Sequence, residues 1–169
     1  MDMREKKEQH ACDILLVDNK KVSREMVQRL LEHEGYRVVT AEHGQEAISL
    51  LSHEGFACRL VITETVMPYV NGFELISFIK SESGIPVMVL SGSGDEQTVS
   101  EVFRLRADDF MKKPFLDAEL RLRVRQLLAF ARPAGLLARV KELPLVKDRS
   151  VKGKKALHEG APVAVRLAS

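Results

Sequence analysis

The chain has 169 residues, of which 45% are apolar and 30% charged, which suits one folded domain and excludes two of ordinary size. No apolar run approaches the roughly 20 residues of a membrane-spanning helix, and the charged N-terminus lacks the apolar stretch of a signal peptide, so we expect a cytoplasmic protein without membrane contact. The net charge of +2 conceals an acidic part, residues 1–130 with 17 Lys and Arg against 21 Asp and Glu, and a basic part, residues 131–169 with 9 against 3.

Five short runs rich in apolar and β-branched residues alternate with five longer amphipathic stretches. The short runs predict strands at 13–17, 36–40, 60–63, 86–90 and 109–111. The stretches between them carry apolar residues at helical spacing, at 22–31, 45–52, 73–79, 96–105 and 116–130. Gly35 follows the first helix, where a left-handed residue is needed. Five βα units in succession predict an α/β fold, a parallel sheet with helices on both faces.

The two ends of the chain depart from this pattern. We expect residues 1–11 to be a flexible N-terminal segment, 12–130 the domain, and 131–169 a basic tail, flexible or partly helical, because a Pro-Ala-Gly run at 133–135 breaks the last helix. The tail has no helix-turn-helix pattern, and short basic runs such as 152–155 are most often solvated. Nucleic-acid binding is therefore not expected, although a DNA-associated regulator stays an alternative.

Polar residues follow four of the five predicted strands. Asp18 and Asn19 follow the first strand, Glu64 the third, Ser91 the fourth and Lys113 the fifth. In open parallel sheets, ligand chemistry gathers outside the carboxyl ends of the strands. The sequence therefore predicts a functional site at that edge.

Several short motifs occur in order along the chain: Ile14–Asp18, Val66–Pro68, Asn71-Gly72, Val89–Gly92, Ala107–Phe110 and Lys113–Phe115. With these motifs, residues 12–130 resemble a response-regulator receiver domain of two-component signalling. The resemblance implies a flavodoxin-like, doubly wound sheet of five parallel strands in the order 2-1-3-4-5. It also implies a signalling module and not an enzyme.

The resemblance implies a role for each strand-end residue. Asp18 matches the first of two metal-binding carboxylates, and Lys113 the lysine that pairs with a phosphoryl oxygen. Ser91 matches the hydroxyl that senses the phosphoryl group, and Phe110 the aromatic residue that turns inward with it. Glu64 stands where the family carries its phosphate-accepting aspartate, a covalent nucleophile.

Two positions depart from the family pattern. Asn19 replaces the second acidic residue, and the longer Glu64 side chain displaces the acceptor carboxylate. Because Mg²⁺ requires near-octahedral oxygen geometry, we expect at most a weak Mg²⁺ site at Asp18, Asn19 and Glu64. The same extra methylene carries the negative charge of Glu64 toward Lys113 and Ser91, in partial imitation of a phosphoryl group.

Several interpretations of this site stay open. The first is an atypical receiver that acts through protein–protein contacts without phosphorylation, and a related one is a switch that Glu64 keeps in an active-like state. The third is residual Mg²⁺-dependent phosphoryl acceptance from a histidine kinase. The fourth is an ordinary ion pair on a scaffold that has lost its signalling chemistry.

The resemblance also suggests partners: a histidine kinase or a downstream effector protein, and a second copy of the chain. A symmetric dimer would use acidic and basic residues that pair reciprocally across a two-fold axis, here Asp108, Asp109, Glu119, Arg123 and Arg125. Alternatively, Glu119 and Arg123 form only an intrahelical pair. Arg106 stands where the family usually has glycine, which predicts a strained turn.

The chain has two cysteines, each six residues before a strand-end carboxylate. If the first and third strands are parallel neighbours, Cys12 and Cys58 lie near one another at the amino end of the sheet. Two reduced thiols that pack as small apolar side chains are the ordinary interpretation in a cytosolic chain. A redox pair is the alternative.

Overall fold

The computed structural model describes residues 12–131; the predicted N-terminal segment and the basic tail from residue 132 lie outside them. Every predicted strand and helix is present, and the strand bounds differ from the predicted ones by at most two residues. The elements are β1 (Ile14–Val17), α1 (Lys21–His33), β2 (Val38–Ala41), α2 (Gly44–Ser52), β3 (Leu60–Thr63), α3 (Gly72–Glu82), β4 (Val87–Ser91), α4 (Glu96–Arg104), β5 (Asp109–Lys112) and α5 (Asp117–Phe130). None of the helices within residues 12–131 could span a lipid bilayer.

All strand pairs in the sheet are parallel, in the order β2-β1-β3-β4-β5. The predicted α/β, flavodoxin-like fold is confirmed. Successive side chains of a strand point to opposite faces, so the sheet has two cores. Leu15 and Val17 pack in a cluster with residues of α2, α3 and α4. Ile14 and Leu16 pack with residues of α1 and α5.

The start of α3 presses against the end of β3. Asn71 and Glu74 form a capping box, each side chain accepting the other residue's backbone N–H. Gly72 donates its N–H to the Thr65 carbonyl at 2.9 Å, and a Cβ at Gly72 would overlap the carbonyl oxygen of Glu64. Glycine at this position thus allows the helix to approach the backbone that carries Glu64.

Two turns adopt the left-handed conformation that the sequence predicts. Gly35, after α1, has a φ of 89°, and Arg106, after α4, has a φ of 67°. Glycine adopts this conformation freely, whereas a residue with a side chain pays about 1–2 kcal/mol. Arg106 therefore has the unfavourable backbone conformation that was predicted for this turn.

Candidate functional site

Side chains from the ends of β1, β3, β4 and β5 meet at the carboxyl edge of the sheet, as predicted. The Nζ of Lys113 lies 2.6 Å from Oδ2 of Asp18 and 3.1 Å from Oε2 of Glu64. The side chains of Asp18 and Glu64 are only 4% and 5% exposed, and that of Lys113 is 17% exposed. One ammonium group thus lies between two nearly dehydrated carboxylates, and the cluster keeps a net formal charge of −1.

The Glu64 carboxylate accepts hydrogen bonds from every side. Oε1 accepts from the Thr65 backbone N–H at 2.8 Å and the Thr65 hydroxyl at 3.1 Å. It also accepts a short hydrogen bond from the Ser91 hydroxyl, and the two hydroxyls of Thr65 and Ser91 lie 2.6 Å apart. Oε2 accepts from the Gly92 N–H at 3.2 Å and from Lys113. Two amides, two hydroxyls and an ammonium group therefore surround one carboxylate.

These contacts determine the charge state of Glu64. Burial on its own raises the pKa of a carboxyl group, because it disfavours the charged form. The hydrogen bond from Ser91, the charge of Lys113 and the Thr65 amide together outweigh that effect, and the pKa of Glu64 lies below its ordinary value. Glu64 is therefore an anion at neutral pH.

Asp18 is fixed by the first turn of α1. Its carboxylate accepts the Lys20 N–H at 2.8 Å and the Ser23 hydroxyl at 2.7 Å. The buried guanidinium of Arg24 donates to the Asp18 carbonyl at 2.6 Å and pairs with Glu42 at 2.7 Å. These supporting residues were not predicted, although Ser23 and Arg24 lie within six residues of Asp18 in a predicted helix start.

The three predicted Mg²⁺ ligands differ in their surroundings. Asn19 is exposed and makes no hydrogen bond to the cluster in the described part of the chain. The carboxylates of Asp18 and Glu64 are engaged by N–H and O–H donors, with the Lys113 ammonium group between them. Over residues 12–131, no group of three or more His, Cys, Asp or Glu side chains is placed to hold a metal ion. The predicted set has only two carboxylates, and both already accept hydrogen bonds; the weak Mg²⁺ site stays a prediction.

Phe110 lies on β5, beside the site. Its side chain is partly buried and packs against the cluster beneath α2, α3 and α4, while its backbone N–H is bound by the Asp109 carboxylate at 2.8 Å. The ring is thus on the core side of the sheet. Its role as a switch stays a prediction.

The five residues predicted for a dimer face fall into three places. Arg123 pairs with Asp109 at 2.8 Å and with Glu119 at 2.8 Å, so these three form one cluster on β5 and α5. Asp108 pairs at 2.5 Å with a lysine of α3, and Arg125 approaches a glutamate at the end of α1 at 3.6 Å. The intrahelical pair of Glu119 and Arg123 that the sequence offered as the alternative is present.

Comparison with known proteins agrees with this fold. Response regulator RR06 of Streptococcus pneumoniae serotype 2 is 38% identical over 116 residues, which cover 69% of this chain and 52% of that protein. Response regulator SaeR of Staphylococcus aureus strain USA300 is 36% identical over 116 residues, which cover 68% and 50%. The chain thus spans about half the length of these relatives.

Solved structures of receiver domains are similar as well. The signal receiver domain of a signal transduction histidine kinase from Syntrophus aciditrophicus has a TM-score of 0.64 and 30% identity, covering 70% of this chain and 90% of that one. The non-phosphorylated HemR receiver domain from Leptospira biflexa has a TM-score of 0.64 and 31% identity, covering 72% and 97%. The family model of the response regulator receiver domain matches residues 14–125, and the chain therefore belongs to the response regulator receiver domain family of two-component signalling.

Proposed function

We propose that this chain is an atypical receiver in which the Glu64 carboxylate takes the place of the phosphorylated acceptor and the domain acts through protein–protein contacts. It works without phosphorylation, as a signalling module in the cytoplasm and not as an enzyme. A histidine kinase or a downstream effector protein is the partner class that the family suggests.

One observation carries the proposal: the donors around the Glu64 carboxylate. A phosphoryl group on a receiver needs a lysine, a hydroxyl and nearby N–H groups to bind its oxygens. Lys113, Ser91 and the Gly92 amide are such donors, and each already donates to Glu64. The carboxylate supplies a charge of −1 and two oxygens where a phosphoryl group supplies more. The imitation of a phosphoryl group is therefore electrostatic and partial.

The same contacts argue against phosphorylation of Glu64. A nucleophilic carboxylate needs a free lone pair aimed at the incoming phosphorus atom, and a metal ion to offset the charge that develops. Both oxygens of Glu64 accept hydrogen bonds, and the Lys113 ammonium group lies between the two carboxylates. This arrangement supports the phosphorylation-independent interpretation over residual phosphoryl acceptance.

The first test is phosphorylation itself. The wild type, Glu64→Asp and Glu64→Gln are incubated with acetyl phosphate and Mg²⁺, and the intact mass is measured, with a typical receiver as the reagent control. We expect no phosphoryl adduct on the wild type or Glu64→Gln. A gain of phosphate by Glu64→Asp would show that the rest of the pocket is competent. A stable adduct on Glu64 of the wild type would refute the proposal.

A second test asks whether Glu64 organises the loop after β4. Loss of the charged acceptor in Glu64→Gln weakens the hydrogen bond from the Gly92 amide, so hydrogen exchange at Gly92 and Ser93 is expected to accelerate. Glu74→Gln, in the exposed capping box of α3, is the matched control and should leave that loop unchanged. If hydrogen exchange at Gly92 and Ser93 is equally fast in the wild type and in Glu64→Gln, the charge of Glu64 does not order the loop and the residue only fills space.

We further propose dimerisation through the cluster of Asp109, Glu119 and Arg123 on β5 and α5. Its charges pair within one chain. In a symmetric dimer, the arginine of each chain would pair with the carboxylates of the other chain, so the number of ion pairs would stay the same. Light scattering after size exclusion on the wild type and Arg123→Glu tests this. A dimer that Arg123→Glu converts to a monomer supports the proposal, and a wild type that is monomeric at all concentrations refutes it.

A further inference from the structure

The two cysteines stand opposite one another at the amino end of the sheet, far from Glu64 along the strands. β1 and β3 are parallel neighbours with Ile14 paired to Leu60, and the Cys12 N–H donates to the Ala57 carbonyl at 2.8 Å. In a parallel ladder, that bond places Cys12 beside Cys58. Neighbouring strands lie about 4.8 Å apart, and disulfides join Cα atoms about 4.4–6.8 Å apart.

The two side chains also share one face of the sheet. Both belong to the buried cluster that α2 and α3 cover, and Cys12 and Cys58 are 3% and 4% exposed. Both are free thiols. Because the chain has two cysteines in all, an intrachain disulfide has one possible pairing.

The thiols are unlike in acidity. A hydrogen bond from Cys58 lowers the pKa of Cys12 by more than burial raises it. The same bond, together with burial, raises the pKa of Cys58. The Cys12 sulfur is thus the one disposed to lose its proton and to act as a nucleophile.

We propose that Cys12 and Cys58 are an oxidative modification site, which a small hydroperoxide converts into an intrachain disulfide. A small uncharged oxidant suits thiols that are under 5% exposed. The site involves neither Glu64 nor Lys113 and is independent of the proposed function.

The reaction takes two steps. The Cys12 thiolate attacks one peroxide oxygen, the O–O bond breaks, and the other oxygen leaves with a proton as water or an alcohol, so that Cys12 becomes a sulfenic acid. The Cys58 sulfur then attacks the Cys12 sulfur, the S–O bond breaks, and hydroxide leaves with the Cys58 proton as water. Two electrons pass from the sulfur pair to the peroxide.

The test uses the full chain, treated with hydrogen peroxide, then denatured and alkylated without reductant. We expect the monomer to lose two hydrogen atoms in mass and to fall from two alkylated thiols to none, with recovery of both after dithiothreitol. Cys58→Ala lacks the resolving thiol and also the hydrogen bond that lowers the pKa of Cys12, so it should keep its single alkylatable thiol under the same treatment. Two alkylatable thiols after treatment, or a disulfide found only between chains, would overturn the proposal.

The melting temperature of the wild type gives a second test whose main result does not depend on the folding of a variant. The disulfide closes a long loop and restricts the unfolded chain, so the oxidised wild type should melt roughly 5 °C or more above the reduced wild type. Peroxide-treated Cys12→Ala, which lacks the nucleophile, is the matched control and should show no such rise. A lower Tm in a wild type that has formed the disulfide would show a bond incompatible with the native fold and would refute the site.

Discussion

The two ends of the parallel sheet both carry paired charges, yet their solvent exposure differs sharply. At the carboxyl end, Lys113 is 17% exposed between two carboxylates that are 4% and 5% exposed. At the amino end, Asp13 pairs with Arg59 at 3.3 Å and with Arg37 at 3.8 Å, and these arginines are 36% and 63% exposed. The paired charges are therefore nearly dehydrated at one end and partly hydrated at the other, and the dehydrated end should be far more sensitive to the loss of one partner.

Lys113→Met is expected to have the largest effect. It leaves Asp18 and Glu64 buried without their shared cation, and removal of one partner of a buried ion pair costs about 3–5 kcal/mol of unfolding free energy. Urea unfolding at neutral pH measures the loss. Lys112→Met, at the exposed neighbouring position of β5, is the control and should change stability by no more than about 0.5 kcal/mol. Equal losses would mean that the ion pairs of Lys113 contribute no more stability than an exposed side chain does, and would contradict the dehydrated carboxyl end.

Ser91→Ala should cost less, about 1–3 kcal/mol, because it removes one buried donor to Glu64 and a partner of the Thr65 hydroxyl. Urea unfolding measures this loss as well. Ser49→Ala is the matched control, since the Ser49 hydroxyl is exposed and donates only to a carbonyl of its own helix. If both variants are neutral, water replaces the Ser91 hydroxyl and the carboxyl end is less dehydrated than described.

The contribution of Glu64 should depend on pH. Its pKa in the folded protein lies below the ordinary value of 4.5, so ionised Glu64 contributes stability in full above that value. This contribution is lost as the pH falls through the lower, folded pKa. The difference in unfolding free energy between the wild type and Glu64→Gln should therefore shrink with acidification below pH 4.5. A difference that stays constant to acid pH would be inconsistent with the lowered pKa.

Arg59→Met, at the amino end, is expected to have the smallest effect, about 0.5–1 kcal/mol. It removes a partly exposed ion pair with Asp13 and one hydrogen bond to the Leu128 carbonyl at 3.1 Å. The same urea titration gives the value. A loss as large as that of Lys113→Met would mean that the hydrated end is as dependent on its charges as the dehydrated one.

The fold was largely predictable because the alternation of short and long apolar patterns specifies strands and helices locally. Which apolar side chains of each helix are buried was harder to predict. In α1, Val22 and Met26 have the same four-residue spacing as Val27 and Leu31, yet they are 82% and 52% exposed while the latter pair is fully buried. Both pairs form stripes along the helix, and the angle at which α1 docks on the sheet selects one of them.

The sequence predicted which residues form the site, but it did not predict the contacts between them and their neighbours. Asp18, Glu64, Ser91 and Lys113 each follow a strand, so chain order alone sends them to one edge. The supporting roles of Ser23, Arg24 and Thr65 were missed, because they depend on the phase of α1 and on the path of the loop after β3. Arg125 was predicted beside Arg123 but pairs toward α1, since the two residues face different sides of α5.

By itself the sequence determined the βα alternation and the carboxyl-end location of Glu64. Only the tertiary structure decided that five donors would converge on one carboxylate, and that both thiols would point to the same face. The physical reason is distance along the chain: the Glu64 cluster joins four strand ends spread from residue 18 to residue 113, and its hydrogen bonds exist only once the whole sheet has formed.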